Sequence, residues 1–94
     1  MPPLVAGLTD AQIGILRETA GGEEDRWWTA MEVVERLGRG TGPGVGCAMK
    51  GLVKRGLLRY RAMSRKEGRL QATYQITDAG RRVLDLELAR SAAS

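Results

Sequence analysis

With 94 residues, 43% of them apolar, and a net charge of +4, the chain suits one small domain over 1–94 and is too apolar to be disordered. It has no histidine and a single cysteine, which excludes the usual zinc site, a Ser-His-Asp or Cys-His catalytic group and an internal disulfide, so neither an enzyme nor a bound cofactor or metal is expected. No apolar run approaches the roughly 18–20 residues of a membrane span, and Met1-Pro2-Pro3-Leu4 does not look like the start of a signal peptide, so a cytoplasmic place is expected.

Two helices share one start signal. In Thr9-Asp10-Ala11-Gln12 a threonine precedes a glutamine by three residues, the pattern of a capping box, and Leu8 and Ile13 stand at the positions of a hydrophobic staple. Ile13, Leu16 and Ala20 then recur at helical spacing until Gly21-Gly22. Thr29-Ala30-Met31-Glu32 repeats the box, with Trp28 and Val33 as the staple pair. Ala30, Val33, Val34 and Leu37 give the second helix its apolar stripe, and Gly38 is suited to the left-handed residue that closes it. Between the two, Glu23 to Arg26 reads as a polar loop and Trp27-Trp28 as a short extended segment.

Pro43 fits the first turn of a third helix. Val45, Met49 and Leu52 recur at i, i+4 and i+7, with Ala48 and Val53 beside them, and the helix ends near Gly56. Gly46 and Gly51 weaken it by about 0.8–1 kcal/mol each relative to alanine. After Gly56 the period changes to alternation. Leu58, Tyr60 and Ala62 fall on one side of a strand, and Arg59, Arg61 and Met63 on the other. Ser64 to Arg69 reads as a polar turn, after which Leu70, Ala72, Tyr74 and Ile76 alternate with Gln71, Thr73 and Gln75, completing a hairpin. Thr77 caps a fourth helix whose buried side is expected at Val83, Leu84 and Leu88. The core spans about 8–88, and 1–7 and 90–94 are expected to be loose ends.

The charge is unevenly spread. Residues 1–38 hold three cations against seven carboxylates, residues 39–75 hold nine cations against Glu67 alone, and residues 76–94 balance at three each. A band of +8 between segments of −4 and zero is what a polyanion-binding face looks like; a basic surface kept for solubility is the plainer alternative.

The order helix, helix, helix, hairpin, helix resembles a winged helix-turn-helix domain, an α+β, mostly α fold of three bundled helices, a two-stranded hairpin wing and a C-terminal helix. Leu52-Val53-Lys54-Arg55-Gly56-Leu57-Leu58 is similar to the passage that leads from recognition helix to wing in the MarR and PadR regulator groups. Tyr74-Gln75-Ile76-Thr77-Asp78-Ala79-Gly80 is similar to their passage from wing to last helix. Physically, Gly56 is expected at positive φ, Tyr74 and Ile76 face the core, and Gly80 lets the last helix pack closely. The resemblance implies a DNA-binding transcriptional regulator without enzymatic activity. Its third helix would enter the major groove and its basic wing would touch backbone or minor groove.

Carried onto this chain, the groove-facing positions are Gly44, Gly46, Cys47, Lys50 and Lys54, and the wing positions are Arg59, Arg61, Arg65, Lys66 and Arg69. Together with Arg39, Thr41 and Arg55 these form the candidate DNA-binding set. Base edges are usually read by Arg, Lys, Asn, Gln, Ser or Thr, and the third helix offers Lys50, with Thr41 at its start, and otherwise glycines and one thiol. Contacts to the phosphate backbone are therefore expected to dominate. Double-stranded DNA is the expected partner. A homodimer would match a two-fold operator, with Leu84, Leu86 and Leu88 as candidates for a C-terminal interface.

Other readings remain open at this point. The same domain fits a protein–protein or RNA interaction module, such as a phage-type inhibitor or adaptor with an acidic protein partner. Trp28 reads as a staple and core residue and Trp27 as a partner contact. Cys47 reads as a small helix residue, with a redox-sensing thiol as the alternative. The run Gly40-x-Gly42-x-Gly44-x-Gly46 follows no strand and lacks a Walker lysine, so it is not read as a nucleotide site.

Overall fold

The computed structural model describes residues 8–22, 25–66 and 69–93, leaving out the side chains of 63–66, 69–70 and 91–93. In chain order the elements are α1 (Asp10–Ala20), α2 (Ala30–Leu37), α3 (Gly42–Lys54), β1 (Leu58–Lys66), β2 (Arg69–Ile76) and α4 (Asp78–Ala93). This is the winged-helix arrangement that the element order predicts.

Local chemistry sets the helix ends. Thr9 and Thr29 both form complete capping boxes, in which the side-chain oxygens of Gln12 and Glu32 accept from the threonine N–H. Gly38 ends α2 at φ 71°, and Gly56 makes the turn after α3 at φ 76°. Both lie in the left-handed region where a side chain is strained. Leu8 and Ile13 are both partly buried against the edge of the core.

The core joins α1–α3 to the sheet and α4. Leu16, Trp28, Val33, Met49 and Leu52 are wholly buried, with Ile15, Leu58, Tyr74, Ile76 and Leu84 around them. Two expected stripes turn out to be rotated. In α1 the buried line is Ile15, Leu16 and Thr19, and Ile13 and Ala20 are only partly buried. In α4 the buried positions are Gly80, Val83, Leu84 and Glu87, while Leu88 is 39% exposed. Gly80 explains this rotation. A Cβ built there would run into the Leu57 carbonyl oxygen and lie 2.8 Å from Ile76 Cγ1, so the glycine defines the line of closest approach. At about 100° per residue, Glu87 falls on that line and Leu88 roughly 80° from it. Glu87 pairs there with Arg90 at 3.0 Å.

Leu84 therefore belongs to the core rather than to a C-terminal interface. Leu86 and Leu88 are exposed but stand roughly 200° apart around the helix, so they do not form one stripe.

The hairpin is longer than the alternation suggests. The polar stretch read as a turn is mostly strand, with Arg65 opposite Leu70 and Lys66 opposite Arg69. The register runs Leu58↔Ile76, Tyr60↔Tyr74 and Ala62↔Ala72, then shifts between Ala62 and Ser64, leaving Met63 as the extra residue of a β-bulge. On the other side of β2, Trp28 and Tyr74 form an isolated antiparallel bridge. Thr77 ties the elements together. Its N–H donates to Leu57 O at 3.1 Å, its hydroxyl donates to Gly56 O at 2.7 Å, and the same oxygen accepts the Gly80 N–H at 3.0 Å.

Candidate nucleic-acid interface

Helix α3 begins because Thr41 accepts the Gly44 N–H at 3.1 Å and Pro43 occupies the first turn. Its buried stripe, Val45, Met49 and Leu52, presses one face into the core. That leaves Pro43, Gly44, Cys47, Lys50 and Lys54 exposed, with Arg39 exposed before the helix and Arg55 after it. The structure thus brings together on one side of α3 the predicted Thr41, Lys50 and Lys54. The Thr41 hydroxyl oxygen is used in capping.

Among the described residues the ion pairs join Arg26 to Glu32, Arg36 to Glu18 and Arg90 to Glu87; Arg39, Lys50, Lys54 and Arg55 are in none of them. None of these three pairs involves α3.

The wing cations divide. Leu58, Tyr60 and Ala62 share the sheet face of Tyr74 and Ile76, which turns toward the helices, and alternation puts Arg59 and Arg61 on the opposite face with Thr73 and Gln75. On that outer face the Arg61 guanidinium lies 4.1 Å from the centroid of the Trp27 ring, and the Thr73 hydroxyl donates to Arg61 O at 2.6 Å. Arg59 lines a shallow polar cleft with Arg81, Asp25 and Asp78. Neither side chain shares the face of α3. Arg65, Lys66 and Arg69 are placed by backbone register alone, at the far end of the hairpin from the core; their side chains lie outside the described residues.

Between α3, the start of α2 and β2 runs an open cleft of about 540 Å³, lined by Met31, Cys47, Lys50, Gln71, Ala72 and Tyr74 among others. Gln71 and Met31 are absent from the sequence-derived set. Alternation along β2 groups Gln71 with Thr73 and Gln75, so it could not have marked Gln71 for this cleft; Gln71 lies beside the register shift between Ala62 and Ser64. Met31, 55% exposed, becomes part of the cleft only because α2 and α3 meet there. Burial pushes the Tyr74 phenol above its ordinary value of 10.0, with Tyr60 and Cys47 adding to the shift, so it stays a neutral hydroxyl at the cleft wall. The ring of Tyr60 packs on that of Tyr74 at 5.8 Å between centroids.

The two tryptophans differ. Trp28 is fully buried, with the Arg26 guanidinium 3.8 Å and that of Arg36 5.7 Å from its ring centroid. Trp27 is half-buried and its ring is engaged by Arg61. Among the described residues no cluster of His, Cys, Asp or Glu is placed to hold a metal ion, and no helix is long and apolar enough to cross a membrane.

No protein-family model matches the chain, and no curated protein matches it in sequence. Solved structures do match. Bacillus subtilis PadR in complex with operator DNA superposes with a TM-score of 0.69 at 18% identity, covering 82% of this chain and 46% of PadR. S. aureus MepR, also in a DNA complex, gives 0.71 at 20% identity, covering 87% of this chain and 63% of MepR. A protein of Methanosarcina mazei Go1 described as a possible transcriptional regulator gives 0.68 at 20% identity, over 95% and 73%. The chain therefore has the winged-helix fold of these proteins and spans about half the length of PadR and three-fifths that of MepR.

Proposed function

We propose that this chain is a DNA-binding transcriptional regulator, a single winged-helix domain acting in the cytoplasm, in which α3 enters the major groove and contacts to the phosphate backbone supply most of the affinity. One observation carries the reading. The exposed side of α3 presents Lys50 and Lys54, with Arg39 and Arg55 at its ends, and among the described residues no carboxylate pairs with any of them. In PadR and MepR this fold is seen in complex with DNA. Arg65, Lys66 and Arg69, at the far end of the hairpin, are the wing cations assigned to phosphate. Arg59 and Arg61 are assigned a lesser share because they stand on the other sheet face. A homodimer on a two-fold site belongs to the same reading.

The test is binding to random-sequence duplex DNA across a salt series. Affinity should fall linearly with salt on a log–log plot, with a slope of about −0.9 per phosphate neutralised. Lys54→Ala should make that slope about one unit shallower. Absence of binding at low salt overturns the reading.

The outer sheet face favours a second reading. Arg59 and Arg61 stand there with Trp27, turned from α3, and would suit an acidic protein partner. Binding to such a partner that survives Lys50→Ala and Lys54→Ala but is lost in Arg59→Ala with Arg61→Ala would select it.

A further inference from the structure

The exposed stripe of α3 contains one side chain able to read a base edge from the middle of the helix. Pro43 and Gly44 offer no side-chain hydrogen bond, and Cys47 offers a weak thiol donor. Thr41 stands at the N-cap, outside the middle of the helix, with its oxygen accepting the Gly44 N–H. Lys54 stands in the last turn, next to Arg55 at the helix end, where a cation meets flanking phosphate. Lys50 lies between them. It is exposed, has no carboxylate partner among the described residues, and stands at the cleft beside Cys47 and Gln71.

A lysine ammonium carries donors only. In the major groove the base offering two adjacent acceptors and no donor on the same edge is guanine, through O6 and N7; adenine sets a donor beside its N7, and thymine presents one acceptor next to a methyl group. We propose that Lys50 is the specificity-determining residue of α3, donating from Nζ to O6 and N7 of a guanine, and that the sequence preference of the chain is one guanine position per bound copy. This rests on the DNA-binding reading above.

The experiment is selection of bound duplexes from a random pool, with the full chain and with Lys50→Ala, Lys50→Arg and Lys54→Ala, after circular dichroism shows that each variant is folded. The unsubstituted chain should enrich guanine at one position over the other bases by about tenfold. Lys50→Ala should erase that position. Lys50→Arg should keep it, because a guanidinium also satisfies O6 and N7. Lys54→Ala should keep it too while binding every duplex more weakly.

A guanine preference unchanged in Lys50→Ala overturns the proposal, as does a preference for another base. Strong, salt-sensitive binding with no preference also overturns it and leaves the DNA-binding reading standing. Absence of any duplex binding at low salt removes both.

Discussion

The backbones of Trp28 and Tyr74 exchange two hydrogen bonds, Trp28 N–H to Tyr74 O at 2.7 Å and Tyr74 N–H to Trp28 O at 2.8 Å. The residue before the cap of α2 is thereby a third, minimal strand beside the wing. Its side chain then fills the core at zero exposure, so one residue registers α2 against the sheet and plugs the space between them. Trp28→Ala should destabilise the fold by about 3–5 kcal/mol, the usual cost of truncating a buried large aromatic. The indole Nε1 has no hydrogen-bond partner among the described residues, so Trp28→Phe should cost clearly less, only volume being lost. Urea unfolding of the two variants measures the difference.

Gly80→Ala should be among the most damaging single-methyl changes in the chain. The added Cβ meets the Leu57 carbonyl, a backbone atom that cannot swing aside. A loss of about 3 kcal/mol, the upper part of the overpacking range, would lower the thermal midpoint by more than about 10 °C in a domain this small. A midpoint within a few degrees of the parent would contradict the packing described.

Gly46 and Gly51 should behave in the opposite way. The nearest atom to an added Cβ is Ala30 Cβ at 3.9 Å for Gly46 and Gln12 Nε2 at 3.9 Å for Gly51, which is ordinary contact. Replacing either by alanine should stabilise the fold by up to about 1 kcal/mol through helix propensity alone, raising the thermal midpoint by roughly 4–8 °C.

Glu32 makes stability depend on acid. Burial would raise its carboxyl, but bonds from the Thr29 N–H and from Arg26 outweigh that and hold it below the ordinary 4.5. A carboxyl depressed in the folded state stabilises above the unfolded value and stops doing so as pH falls through the folded one. Urea midpoints should therefore drop as pH falls below about 4.5, and in Glu32→Gln that part of the drop should be missing. Identical acid profiles for the two proteins would show that the capping box does not hold the charge.

Arg61 should be visible in fluorescence. With its guanidinium over the Trp27 ring, Arg61→Ala should shift tryptophan emission to the red and raise acrylamide quenching of one of the two indoles, Trp28 staying protected. A cation–π contact at a half-exposed site contributes about 0.5–1 kcal/mol, so the stability loss should be of that order.

Much of this architecture was legible because its causes are local. A capping box is settled within four residues, and Thr9 and Thr29 both form the one their sequence spells. Gly38 and Gly56 take the positive φ expected of them. What escaped reading depends on residues far along the chain. The bulge at Met63 arises from how β1 meets β2, and alternation within one strand carries no trace of it. Glu87 looks like a surface residue until Gly80 fixes the line along which α4 touches Leu57. Arg61 counts as one more wing cation until the bridge between Trp28 and Tyr74 brings Trp27 within its reach. The exposed cations of α3 were legible because a helix with one apolar stripe has only one other side to show.

The hydroxyl of Thr77 acts as a pin between two levers. One arm is α4, whose first turn hangs on that oxygen through Gly80, and the other is the end of α3, gripped through the Gly56 carbonyl. With the Thr77 N–H on Leu57 as a second fastening, the start of α4 and the turn after α3 are tied together through one residue.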